Sequence, residues 1–218
     1  MARWYLCNTA TDLVTTLTYR GTWDQTNNSG RMLSTNKAGD GGTNTSTTYA
    51  PSAGYAANWD YTRLRFIGRA LGSGGTISGN VDMVVRVKEA LSSHDSVYAF
   101  HLYVTVGDTD VVRGTLISNY VETLTDEWTT ANAGQAIAAP ITVNPVVVTA
   151  GDRIVLELGN RFITSGINVA GIANTISYGG TAADITDGGA SNLTPWIDIP
   201  DPSAAVGAGR GQAVMFGL

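Results

Sequence analysis

The chain has 218 residues, 43% of them hydrophobic and only 14% charged, with 26 glycines and a formal net charge of −5. That length and apolar content suit one large β domain with its own core, and the shortage of charge beside abundant Gly, Thr and Asn leaves little material for helices. A pI near 4.8 and just two lysines, Lys37 and Lys88, would repel a phosphate backbone and disfavour a nucleic-acid partner.

The start, MARWYLCNTATD, offers a short strand at residues 4–7 and soon turns polar. It lacks the apolar core of a signal peptide, and no apolar run approaches the ~18 residues that cross a bilayer. The expectation is a soluble protein made in a cytoplasm, with no membrane partner. Cys7, the one cysteine, excludes an internal disulfide and reads as a small core residue. A second strand is expected at residues 17–23. Residues 24–60 then break the pattern with Gly, Asn, Ser, Thr and Ala. A loop that long normally needs something to order it, and Tyr49, Tyr55 and Trp59 suggest packing against another copy or another protein.

From residue 63 onward, period two dominates. Leu64 and Phe66 alternate with Arg63 and Arg65. LGSGGTISG (71–79) lacks the Lys-Ser/Thr ending of a phosphate-binding loop and reads as a hairpin connection. VDMVVRVK places Val81, Met83, Val85 and Val87 on one face. VYAFHLYVTVG does the same with Tyr98, Phe100, Leu102, Val104 and Val106, against Ala99, His101, Tyr103 and Thr105. These are half-buried strands, so Tyr103 is expected to be exposed. Further strands are expected at 111–118, 141–148, 154–158, 175–178 and 196–199. The stretch 121–136 is too rich in Thr and Asn for more than a turn or two of helix.

In TAGDRIVLELGNRF (149–162), Ile154, Leu156 and Leu158 take the buried face, while Arg153, Val155 and Glu157 take the other. Arg153 and Glu157 are about 13 Å apart along a strand, so each needs a cross-strand partner or water. The charges read as a solvated face rather than a reactive site. His94 and His101, with Cys7, form no ligand spacing. The Asp40, Asp184 and Asp187 loops could offer oxygens to calcium, but Asp-Gly is ordinary turn chemistry; no catalytic residue, metal or cofactor is expected.

Eight to ten short alternating strands point to an all-β, antiparallel two-sheet sandwich of jelly-roll type. One domain would span 1–202, with 24–60 as a long insert and 203–218 as a Gly-rich arm tipped by Val214, Met215 and Phe216. Within it, RGTLISNYVE, AGDRIVLELG and NLTPWIDI resemble a recurring pattern in structural proteins of tailed bacteriophages and prophages. The similarity spans about residues 60–200. It implies a jelly-roll domain on the virion (a head decoration protein, a head fibre, or a neck or tail component) and no catalytic residues. The expected function is therefore a capsid decoration or cement protein, a homotrimer bound to the major capsid protein or other virion subunits. Its expected interface residues are Arg3, Trp4, Tyr5, Tyr49, Tyr55, Trp59, Tyr103, Val214, Met215 and Phe216. The alternative is a carbohydrate- or receptor-binding module of a tail fibre or spike.

Overall fold

The computed structural model describes residues 1–24, 26, 30–37, 45–49, 58–92, 95–123, 127–163, 174–190 and 193–202, with only the backbone of 45–49 and 63. Among these residues there is no α-helix and the chain is all-β, as the composition predicts. The strands are β1 (Ala2–Ala10), β2 (Gly30–Ser34), β3 (Thr45–Tyr49), β4 (Trp59–Gly68), β5 (Gly75–Ile77), β6 (Asn80–Lys88) and β7 (Ser96–Thr105). They continue with β8 (Val112–Val121), β9 (Ala133–Ala136), β10 (Ile141–Thr142), β11 (Val146–Val148), β12 (Arg153–Phe162), β13 (Asn174–Tyr178) and β14 (Trp196–Ile199). No helix among the described residues is long and apolar enough to cross a membrane.

One large sheet runs β3-β13-β6-β14-β1-β2-β4-β12-β7-β8, with β9 and β10 also paired to β6, and β11 with β5 forms a small second sheet. The sheet is mixed: β2 and β4 are parallel, where the alternation predicts antiparallel pairing throughout. The large sheet rolls so that distant strands share one interior. Val81, Met83, Val85 and Val87 of β6 pack in the same cluster as Tyr98, Phe100, Leu102 and Val104 of β7 and Leu156 of β12. The Tyr98 hydroxyl donates to the Val85 carbonyl at 3.1 Å and the Gln135 carbonyl at 2.9 Å, which ties β7 to the far end of the sheet. Each buried Val, Leu or Phe of this cluster contributes roughly 1.5–3 kcal/mol.

Several expected boundaries change. Residues 17–23 form no strand. The 24–60 insert is not a plain excursion, because β2 inside it sits between β1 and β4 and buries Met32 and Leu33. Where the composition allows a turn of helix, β9 lies against β6. Residues 141–148 split into β10 and β11, because Pro145 has no N–H to continue a ladder; the Asn144 N–H donates instead to the Leu116 carbonyl at 2.8 Å. A bulge separates Leu158 from Gly159 where β12 meets β4. A Cβ at Gly159 would collide with the Tyr61 carbonyl, so no larger residue fits that crossing.

Candidate functional site

On the core-facing side of β12, Ile154, Leu156 and Leu158 are buried as expected. The opposite side differs from expectation. In register, Glu157 lies between Arg65 of β4 and His101 of β7, and Val155 lies between Ile67 and Tyr103. That face is dry: Arg65, His101, Tyr103, Arg153, Val155 and Glu157 are all buried.

The cover is the segment 11–24, a strap without regular structure that crosses the outer face of the sheet. Leu13 and Leu17 pack on Ile67, Tyr103 and Val155. The polar side chains beneath then fasten the strap's backbone. The Arg20 N–H donates to Glu157 Oε1 at 2.9 Å, and the Gly21 N–H and Trp23 Nε1–H donate to Oε2 at 2.9 and 2.7 Å. Arg65 Nη1 donates to the Leu17 carbonyl at 2.6 Å, and its guanidinium lies 4.5 Å from the Tyr19 ring centroid. Both oxygens of Asp110 accept from Thr18, at 2.7 Å each, and Asp110 also pairs with Arg20. Burial raises the Tyr19 hydroxyl to about 12 and raises Tyr103 further, so both remain neutral donors. Burial lowers His101, only partly offset by Glu157, and its Nδ1 accepts the Asn119 N–H at 3.2 Å.

Arg153 and Asp152 hold the strap's first turn and the neighbouring hairpin. Arg153 Nε donates to Asp108 at 2.5 Å and Nη1 to Asp12 at 2.6 Å and the Gly68 carbonyl at 3.1 Å. Gly151 makes the preceding turn at φ 96, a conformation that favours glycine. Burial alone would raise the Asp152 carboxyl, but hydrogen bonds from Arg113 and from the Thr149 and Gly107 N–H groups hold it below its usual range. Asp152, Arg153 and Glu157 are thus not a solvated face: all three are buried and fasten neighbouring segments of the chain.

Of the expected interface residues, Tyr103 is corrected: it is 1% exposed, because the strap covers it. Trp4 is also buried, because its side chain on β1 packs into the main hydrophobic core. Arg3 and Tyr5 are partly exposed but engaged. Arg3 donates to both Asp198 oxygens at 2.9 and 2.7 Å and to Asp184 at 2.7 Å, and stacks 3.7 Å from the Trp196 ring centroid. Lys37 pairs with Asp184 and lies 4.9 Å from the Tyr5 ring centroid. Asp184 is therefore neutralised by two cations, while Asp187 accepts the Ala136 N–H at 3.1 Å. Trp59 is half-buried on β4. Tyr49 lies on β3 without a described side chain. Asp40, Tyr55, His94, Val214, Met215 and Phe216 lie outside the described residues. Cys7 is buried as expected and stands on β1, which is not adjacent to His101's strand β7.

Two open pockets flank the body. One, of about 280 Å³, is lined by Trp4, Ser34, Arg69 and Asp201 among others. The other, of about 470 Å³, is lined by Glu127, Thr129, Gln135 and Asp187 among others. Burial, and then the charge of Glu127 in the lining of the second, pushes the Glu89 carboxyl up to about 7, a coupling that sequence reasoning missed. Nothing in the local sequence joins these residues, because the coupling is made only when β6 and the segment after β8 come together.

No protein-family model matches the sequence, and no curated protein matches it. A solved structure of an α-amino acid ester hydrolase labelled with selenomethionine aligns with a TM-score of 0.38 and 11% identity, over 63% of this chain and 25% of that one. The chain spans about a quarter of that hydrolase, and a likeness at this level carries no argument about fold or activity.

Proposed function

We propose that this chain is a non-enzymatic structural subunit of a tailed-bacteriophage virion, a capsid decoration or cement protein built as a jelly-roll-type sandwich. Each subunit would bind neighbouring major capsid proteins, as a homotrimer, and stabilise the shell by mass action because it binds the assembled form alone. The resemblance in residues 60–200 supplies the context. The observation that carries the non-catalytic half of the reading is the strap clamp: Glu157, Arg65, Arg153 and Asp152, the charges nearest the centre of the sheet, are taken up in holding the chain's own segments. The rolled sheet, with one interior shared by β6 and β7, is compatible with two facing layers. Sugar stacking is the weaker reading, since Trp4, Tyr103, Trp128 and Trp196 are buried and cannot offer open ring faces.

Particles of the encoding phage, with and without this gene, provide the test. On this reading, purified virions contain the chain in many copies, and particles lacking it release DNA at a lower temperature until purified protein is added back. Virions without the chain, or a purified protein that cleaves a surface polysaccharide, would overturn it.

A further inference from the structure

The second half of the strap is fastened through two residues that flank one buried histidine. His101 stands near the middle of β7 and is 4% exposed. Its Nδ1 accepts the Asn119 N–H at 3.2 Å, so the neutral ring carries its proton on Nε2, which is buried without a hydrogen-bond partner. Asn119 takes a left-handed conformation inside β8, φ 47, where the pairing of β8 with β7 shifts register. Its side-chain Oδ1 accepts the Thr22 N–H of the strap at 2.9 Å. Directly opposite His101 on β12 is Glu157, whose carboxylate holds the Arg20 and Gly21 N–H groups and the Trp23 indole. The N–H groups that tie residues 20–23 to the sheet therefore end on the two neighbours of His101.

The other charged or titratable groups on this face are placed as follows. Tyr103 stands on the same strand, its ring centroid 5.6 Å from the imidazole, and Arg65 of β4 lies across Glu157. The strap contributes Tyr19, stacked on Arg65, and Arg20, paired with Asp110 of the β7–β8 hairpin. Further along, Arg161 and Asp60 are paired with one another. Among the described residues no ion pair reaches His101.

A second proton on this ring goes to Nδ1. There it sets one donor against another, the Asn119 N–H, and it places a charge in a dry site with no ion-paired partner. The carboxylate opposite already serves three strap donors, so an imidazolium gains Glu157 only in competition with Arg20, Gly21 and Trp23. Both consequences loosen the same four residues. We propose that His101 is an acid-sensitive latch, whose protonation releases residues 20–23 from Glu157 and Asn119 while the core stays folded. The first half of the strap is held independently, by Leu13 and Leu17 on Ile67, Tyr103 and Val155 and by Asp12 on Arg153, which confines the release to the second half.

Burial holds the latched ring below its ordinary 6.5, against the pull of Glu157 and the Asn119 side chain. Once released and wet, the ring regains the ordinary value, so opening takes up a proton. The latch is therefore at full strength above pH 6.5 and weakens as pH falls below it.

Nuclear magnetic resonance on the full chain, titrated from neutral to mildly acid pH, tests the latch. The His101 ring, the Arg20, Gly21 and Thr22 amides and the Trp23 indole N–H should move together, with one midpoint below 6.5. Amide exchange at residues 20–22, corrected for its intrinsic pH dependence, should accelerate by up to about thirtyfold by about pH 5, while core amides of β7 and β12 keep their protection. His94→Gln identifies the His101 signals, since the chain has two histidines. His101→Asn keeps an acceptor near the Nδ1 position but cannot take up the proton, and its strap signals should stay fixed over the same range. If they move as in the unaltered chain, a carboxylate is the acid sensor and the latch is wrong. It is equally wrong if His101 titrates in the unaltered chain with a midpoint separate from that of the strap signals, a result that needs no folded His101→Asn.

Discussion

Replacing Glu157 by Ala removes the acceptor for three donors at once: the Arg20 N–H and Gly21 N–H at 2.9 Å and the Trp23 indole N–H at 2.7 Å. Hydrogen bonds to a charged group are worth about 1.5–3 kcal/mol each, but their losses do not add when one segment moves as a unit. The substitution also leaves Arg65 and its charge buried opposite an empty position. Breaking such a buried arrangement from one side costs about 3–5 kcal/mol, and that is the loss expected in denaturant unfolding. Glu157→Gln keeps one acceptor oxygen but turns an amide N–H₂ against a backbone donor, so about 1–3 kcal/mol is expected. Amide hydrogen exchange separates local from global effects: in both variants the Arg20 and Gly21 amides should lose protection before the amides of β7 and β12 do. A loss below about 1 kcal/mol in Glu157→Ala, with strap protection unchanged, would show that the carboxylate does not fasten the strap.

Other consequences are open to simpler measurements. Gly159→Ala forces a methyl into the Tyr61 carbonyl and should lower the melting temperature by several degrees or prevent folding, whereas Gly72→Ala, with nothing within 4 Å, should be near neutral. Tyr98→Phe removes a hydroxyl that serves the Val85 and Gln135 carbonyls and should cost about 1 kcal/mol in denaturant unfolding. The raised Glu89 carboxyl favours the folded state when it is protonated. Its contribution is therefore complete below its ordinary value of 4.5 and lost as pH rises through about 7, worth up to about 3 kcal/mol at 1.36 kcal/mol per pH unit. Glu89→Gln should flatten that alkaline decline in a series of melting curves. The lowered Asp152 carboxyl acts the opposite way: its contribution is present above the ordinary 3.8 and lost as pH falls below it, so Asp152→Asn should remove part of the acid limb.

Much of the sheet was legible because period two survives in it. The faces of β6 and β7 read from Val81 to Val87 and from Tyr98 to Val104 are the ones that meet in the core, and β14 has the expected ends. What the alternation could not reveal was that the second face of β7 and β12 is also covered. A residue such as Glu157 reads as wet when only its own strand is considered. Its burial depends on the strap, whose Leu13 and Leu17 lie in a stretch with no periodicity of its own. The same limit hid β2: GRMLS sits among turn-forming residues and is a strand only because β1 and β4 flank it. Glu89 and Glu127 illustrate the long-range case, since two acids 38 positions apart in sequence influence one another only after folding.

The central proposal, a shell-binding subunit rather than a catalyst, is tested most directly by an electron-density map of the intact particle at side-chain resolution. The rolled sheet should fit on the outer capsid surface at a repeating position, grouped in threes, and bridging adjacent capsid proteins. A particle whose surface density at every capsid position is filled by other chains, with this one absent or confined to an enzymatic tail tip, would contradict it.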